Sequence, residues 1–157
     1  MLLDKIDIDI LRYLQEDSSI SNLDLSKKIG VSPSTCLTRT KALRSGGFIT
    51  GNVAIVDPEK VGLNTTAFTL VSIKDTSSSK FDEFLRDIRL RDEVLECYTI
   101  TGNYAILLKV VVRDVKSYRE FLTQVLMANE LVSQIHTNIV MGREKVTTRL
   151  PLESIQQ

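Results

Sequence analysis

The sequence predicts an α+β protein of two domains: an N-terminal winged helix-turn-helix of three helices, then a C-terminal ferredoxin-like βαββαβ domain. Three observations carry that prediction. Apolar residues recur at helical spacing before residue 50 and alternate with polar ones after residue 63. The stretch Gly30–Gly47, GVSPSTCLTRTKALRSGG, opens a helix with Ser-Pro, closes it with Gly-Gly and holds Arg39, Lys41 and Arg44 without one acid. The later elements then run strand, helix, strand, strand, helix, strand. The domain limits that follow are 1–50, a wing and linker strand at 51–63, the sheet domain at 64–142 and a C-terminal segment at 143–157.

The first helix is marked by Ile6, Ile10 and Leu14, with Leu3 and Leu11, and ends at the polar break Glu16–Ser19. Ser21 stands three residues before Asp24, the spacing of a capping box with Asp in place of Glu. The helix it opens, NLDLSKKI, buries Leu25 and Ile29 and stops at Gly30. Ser32 then serves as N-cap and Pro33 as the first residue of the third helix, where a missing N–H does no harm. At about 100° per residue, Cys36, Leu37, Thr40 and Leu43 fall on the inner side of this helix. Ser34, Thr35, Thr38, Lys41, Ala42 and Ser45 fall on the outer side, and Arg39 and Arg44 flank the seam.

That outer surface is small, hydroxyl-rich and cationic, which lets it approach base edges and phosphates in a major groove. The six acids of the first two helices (Asp4, Asp7, Asp9, Glu16, Asp17 and Asp24) confine the positive potential to the third. A solvated helix face that merely lacks acids is the competing account. The residues expected to meet double-stranded DNA are Ser32, Ser34, Thr35, Thr38, Arg39 and Lys41, with Arg44 nearer the phosphate backbone.

After FITGNVAIVDPEKVGL, read as a hairpin or wing, a linker strand and a turn at Asp57-Pro58, the first strand is TTAFTLVSIK. SKFDEFLRDI follows as a helix with Phe81, Phe84, Leu85 and Ile88 on one face. VLECYTITG and YAILLKVVVR form a hairpin with its turn at Gly102-Asn103. Asp114 caps a helix that buries Tyr118, Leu122 and Val125, and LVSQIHTNIVMG is the last strand. On the third strand Tyr104, Ile106, Leu108, Val110 and Val112 share one face. The opposite face still carries Ala105, Leu107 and Val111 beside Lys109 and Arg113. Two helices cover one face of a sheet only, so the second apolar face predicts a homodimer built sheet against sheet.

Composition excludes several classes. The 157 residues hold 20 basic and 20 acidic side chains, which argues against binding polyanions by bulk charge. No apolar run approaches the roughly 18 residues of a membrane span. The opening MLLDKIDIDI has acids where a signal peptide needs cations. Two distant cysteines, Cys36 and Cys97, suit a reducing cytoplasm rather than a disulfide framework. No catalytic constellation is visible: the single histidine, His136, alternates with Gln134 and Asn138, and no Cys/His cluster or Gly-rich phosphate loop accompanies it. An enzyme, a metal site and a cofactor are therefore not expected. The third strand also lacks the basic-Gly-aromatic signature of an RNA-stacking sheet.

The chain resembles the leucine-responsive regulator/asparagine-regulator family of bacterial and archaeal transcription factors. The resemblance rests on five stretches in order: LDKIDIDILRYLQED, VSPSTCLTRTKALRSGGFITG, AIVDPEKVGL, VLECYTITGNYAILLKV and REKVTTRLPL. It implies sequence-specific DNA binding by nucleoid-associated dimers that assemble further, often to octamers. It also implies an amino-acid effector at Tyr98, Thr101, Gly102, Asn103, Tyr104, Ala105 and Thr137. The chain departs from the family pattern Thr-Gly-x-Tyr-Asp at one point, reading Thr101-Gly102-Asn103-Tyr104-Ala105. Without that acid the bound ammonium of a zwitterion lacks its anionic acceptor, so weak binding is expected. A DNA-organising protein with no effector is the alternative this departure suggests.

Overall fold

The computed structural model describes residues 2–77 and 79–152, in two units, Met1–Ile55 with Lys145–Gln157 and Val56–Glu144. In the first unit α1 (Lys5–Glu16), α2 (Asn22–Ile29) and α3 (Pro33–Ser45) enclose Ile10, Leu11, Leu25, Cys36 and Leu43. Each helix begins on a side-chain cap. Asp4 Oδ1 accepts the Asp7 N–H at 2.9 Å, and Asp7 Oδ2 accepts the Asp4 N–H at 3.2 Å, a reciprocal box made of two aspartates. Ser21 Oγ accepts the Asp24 N–H and Ser32 Oγ accepts the Thr35 N–H, both at 3.1 Å, with Pro33 in the first turn of α3. Gly30, at φ +72°, ends α2 in the left-handed region that a Cβ disfavours.

Two expectations for this unit are corrected. Leu37 does not face the other helices; it is 44 % exposed. The buried line along α3 is set by Cys36 and Leu43, and Leu37 lies a further 100° or so around the helix. The hairpin expected within residues 48–63 is not formed either. Residues 50–57 carry no strand pairing, and Val53, Ile55 and Val56 stand exposed before the turn at 58–62. Alternating apolar residues make a strand only where a partner supplies the ladder, and among the described residues none pairs with them.

The C-terminal segment, expected as a separate piece at 143–157, joins the first unit from Lys145 onward. The Leu150 N–H donates to Gln15 Oε1 at 2.6 Å, and Arg149 pairs with Glu16 at 2.9 Å. Leu152 rests against the three-helix core. Residues 153–157 lie outside the described residues.

In the second unit β1 (Thr65–Ile73), β2 (Val94–Thr99), β3 (Ile106–Val112) and β4 (Val132–Ile139) form one sheet in the order β2-β3-β1-β4, antiparallel at every pairing. Helices α4 (Ser79–Arg89) and α5 (Val115–Phe121) complete the βαββαβ order. Phe81, Phe84 and Ile88 of α4 and Tyr118 and Phe121 of α5 pack with Ala67, Val71, Ile106, Leu108 and Val110. Asp114 caps α5 as expected, accepting the Ser117 N–H at 2.7 Å. The helix then widens into a π turn, Leu122–Leu126. One extra residue in that turn shifts the inward position, so Leu126 is wholly buried while Leu122 and Val125 are only partly so.

A polar group sits inside this core. Tyr118 Oη lies 2.8 Å from Thr69 Oγ1 and 2.6 Å from Thr137 Oγ1, a chain of three hydroxyls joining α5 to β1 and β4. Thr69 has no exposed surface, so its hydroxyl has no water to turn to. Replacing Tyr118 by Phe removes the central member and is expected to cost about 1–3 kcal/mol of unfolding free energy. Urea denaturation checks this: the midpoint falls at unchanged slope, and an unchanged midpoint would show that the trio contributes nothing.

Candidate functional site

Helix α3 presents its first two turns to solvent. Ser32, Ser34, Thr35, Thr38, Lys41 and Arg44 are all exposed, while Cys36 and Leu43 are buried beneath them. Ser32 Oγ lies 2.9 Å from Ser34 Oγ and 2.8 Å from Thr35 Oγ1, so three hydroxyls cluster where the N–H groups of the first turn point outward. Ser34, Thr35, Thr38 and Arg39 line a shallow concavity of about 260 Å³. No acid lies within α3, and among the described residues Lys41 has no ion-pair partner. Its charge is available to an anion. The start of α3 is fixed from below by Asn22, whose Nδ2 donates to the Pro33 carbonyl at 2.8 Å.

Arg39 differs from its neighbours. Its Nη1 lies 2.8 Å from Asp4 Oδ2 and 3.3 Å from both carboxylate oxygens of Asp7. Asp7 is 1 % exposed. The Asp4 carboxyl is held below the usual carboxylate range, first by the Asp7 N–H it accepts and then by Arg39. The six N-terminal acids therefore do more than cancel charge, since two of them hold a cation of α3. The sequence signal for this was the Asp-x-x-Asp spacing at the start of α1, a capping pair whose acids have oxygens to spare.

The residues expected at the effector site are only partly brought together. Thr101, Gly102, Asn103, Tyr104 and Ala105 form the connection between β2 and β3, which spans residues 100–105 rather than a two-residue turn. It is closed by the Ile100 N–H on the Ala105 carbonyl at 2.9 Å and pinned to β1 by the Ala105 N–H on the Val71 carbonyl at 3.0 Å. Ser72 Oγ also donates to the Asn103 carbonyl at 3.0 Å. Gly102, at φ +109°, supplies the one backbone conformation there that side chains rarely adopt.

The alternation expected through residues 104 and 105 is reversed. Tyr104 lies with its ring centroid 6.3 Å from that of His136, on the face away from the helices. Ala105 packs against the helix-side core. The ladder of β3 begins only at Ile106, and the bend before it changes the phase. Tyr98 lies on the same face as Tyr104 and donates to Glu96 Oε2 at 3.0 Å, while Lys109 Nζ donates to Glu96 Oε1 at 2.7 Å. That contact with Lys109, ahead of the Tyr98 hydroxyl, holds the Glu96 carboxyl below its ordinary range. Thr137 is on the opposite face, engaged with Tyr118. It does not meet Tyr98 across the sheet.

Among the described residues no group of three or more His, Cys, Asp or Glu side chains could hold a metal ion. No described helix is long and apolar enough to cross a membrane.

Comparison with known proteins assigns both units. Residues 3–50 match the winged helix-turn-helix DNA-binding family model, and residues 66–150 match the Lrp/AsnC ligand binding domain. The chain is 46 % identical over 155 residues to the transcriptional regulator AzlB of Bacillus subtilis, covering 99 % of each. It is 34 % identical over 152 residues to the leucine-responsive regulatory protein of Escherichia coli, covering 97 % of this chain and 93 % of that protein. A transcriptional regulator of Neisseria meningitidis, solved with L-methionine, superposes with a TM-score of 0.94 at 34 % identity, covering 99 % of this chain and 100 % of that one. A third helix that carries only basic charge, a βαββαβ sheet and relatives matched over nearly their whole length agree: the chain belongs to the Lrp/AsnC family of DNA-binding transcriptional regulators.

Proposed function

We propose that this regulator reads duplex DNA through the exposed face of α3, with Thr38 and Lys41 at its centre, Ser32, Ser34 and Thr35 at the helix start and Arg44 toward the phosphates. The observation that carries this is the acid-free outer surface of α3, where exposed small hydroxyls accompany a lysine that has no ion-pair partner among the described residues. Small side chains let the helix backbone sit deep in a major groove, and the helix N-terminus itself favours a phosphate. Homologous regulators are not enzymes, and this chain is read as acting on DNA in the cytoplasm, in association with the nucleoid. Lys41→Ala is expected to weaken binding to all duplexes alike and to lower the salt slope by about 1. Thr38→Ala is expected to cost roughly 1–3 kcal/mol at one base position only. Fluorescence anisotropy across a salt series checks both, and unchanged binding by both variants would remove α3 from the interface.

The working form is a dimer, with assembly to an octamer as its extension. Phe68 and Tyr98, 37 % and 50 % exposed, flank the partly covered Leu70 and Leu107 on the sheet face that neither helix covers. A self-complementary face of this kind suits a two-fold pairing of sheets. Leu107→Glu would place an unpaired carboxylate in that contact, at a cost of several kcal/mol. Sedimentation velocity is expected to show dissociation, and a folded variant of native size would put Leu107 outside the contact.

The effector is read as an amino acid or a related metabolite held near the 100–105 connection. The backbone there offers N–H groups to a carboxylate, but Ala105 is turned into the core and Glu96 is already engaged by Lys109 and Tyr98. Neither residue therefore supplies a free anionic partner for the ammonium of a zwitterion. Titration calorimetry with a full amino-acid panel is expected to give weak binding that Asn103→Asp tightens. Micromolar binding by the unmodified chain would show that backbone carbonyls or a second subunit's acid suffice.

A further inference from the structure

We propose that Arg39 is a positioning residue, which sets the rotation of α3 against α1 instead of serving as a primary DNA contact. The inference rests on the reading of α3 as the DNA-binding helix and assigns its most conspicuous cation a different task. Only Cys36 and Leu43 of α3 are buried. Seven positions apart, they define a single line along the helix, and apolar contact along a line leaves rotation about it weakly determined. Arg39 lies three residues after Cys36 and four before Leu43, on the same side of the helix. Its guanidinium supplies the direction that the apolar contacts lack.

The partners make the bond hard to exchange. Nη1 meets Asp4 Oδ2 at 2.8 Å and both oxygens of Asp7 at 3.3 Å. The same two carboxylates accept each other's backbone N–H groups, so the guanidinium is tied to the first turn of α1 and not to loose side chains. Asp7 is buried, and an Arg39 that swung out to a phosphate would leave that carboxylate without its cation. Among the described residues, no second cation approaches Asp7. The side chain of Arg39 remains 39 % exposed, so its position can shape the concavity beside Ser34, Thr35 and Thr38 without the charge leaving the carboxylates.

Lysine separates the two roles. A phosphate contact tolerates lysine as a point charge, whereas lysine, one atom shorter, does not carry its nitrogen to the point where Nη1 meets both carboxylates. The test uses the full chain, a duplex recovered by the unmodified protein from a random-sequence pool, and sheared genomic DNA as the non-specific probe. It compares Arg39→Gln, Arg39→Lys, Asp7→Asn, Asp4→Asn and the double variant Arg39→Gln/Asp7→Asn, at a temperature where circular dichroism shows each folded. The expected result is a loss of about tenfold or more in selected-duplex affinity for both Arg39 variants and for Asp7→Asn, with the double variant no worse than the worse single one. Affinity for non-specific DNA and the salt slope stay as they were, which a mere loss of stability would not produce. Should Asp7→Asn fail to fold, Asp4→Asn, which keeps the Asp7 contact, is expected to show a smaller loss of the same kind. A salt slope lowered by about 1 in Arg39→Gln but kept in Arg39→Lys, with the aspartate variants silent, would overturn the assignment. A chain that recovers no duplex at all would overturn the DNA-binding reading itself.

Discussion

A carboxylate almost wholly removed from water organises the first unit. Asp7 cannot be buried without a cation and hydrogen-bond donors close by, because an uncompensated charge in the interior costs several kcal/mol. The donor is the N–H of Asp4, the N-cap of α1, and the cation comes from the middle of α3. Meeting that requirement places two helices that are 16 residues or more apart in sequence at one defined approach, with α2 held to α3 by Asn22. The small apolar core of Ile10, Leu25, Cys36 and Leu43 supplies the adhesion, and the polar cluster supplies the angle.

A different constraint governs the second unit. Two helices lie on one face of a four-stranded sheet, so each strand has a wet side and a dry side. Ile106, Leu108, Val110 and Val112 of β3 are fully or nearly buried in the core with α4 and α5, while Leu107 and Lys109 face away from it. The Glu96–Lys109 pair and the Tyr98 hydroxyl give that outer face a polar margin around its apolar residues. An apolar centre with a polar rim is the composition of an association surface.

Most of the fold was legible because periodicity and caps are local signals. The Ser-Pro start of α3, the glycine end of α2 and the Asp114 cap were each read from a few neighbouring residues, and each has the bond expected of it. The failures share a cause. An averaged wheel turns Leu37 inward, but burial along α3 follows a narrower line. The alternation of β3 does not extend to Tyr104 and Ala105, which precede the start of the ladder. The π turn changed the inward position from Val125 to Leu126, and nothing in LTQVL announces the extra residue. At the candidate site, the exposed hydroxyls and Lys41 were legible. The engagement of Arg39 was not, since its partners lie 32 and more positions earlier in the chain. Tyr98 and Thr137 stand together only in what the family resemblance implies, and the strand register sets them on opposite faces of the sheet.

The return of the C-terminal segment to the first unit bears on how the molecule is made. Gln15 and Leu150 are bonded across 135 positions, with the whole sheet unit synthesised between them. During translation the three helices emerge first and can pack, but the contacts of Arg149, Leu150 and Leu152 with them wait for the last part of the chain. The sheet unit is in effect an insertion within the helical one, and closure of so long a loop is slow relative to local packing. A nascent chain stalled within the sheet would carry α3 in an unfinished unit. Completion of the DNA-binding unit thus reports that the sheet unit has already been made.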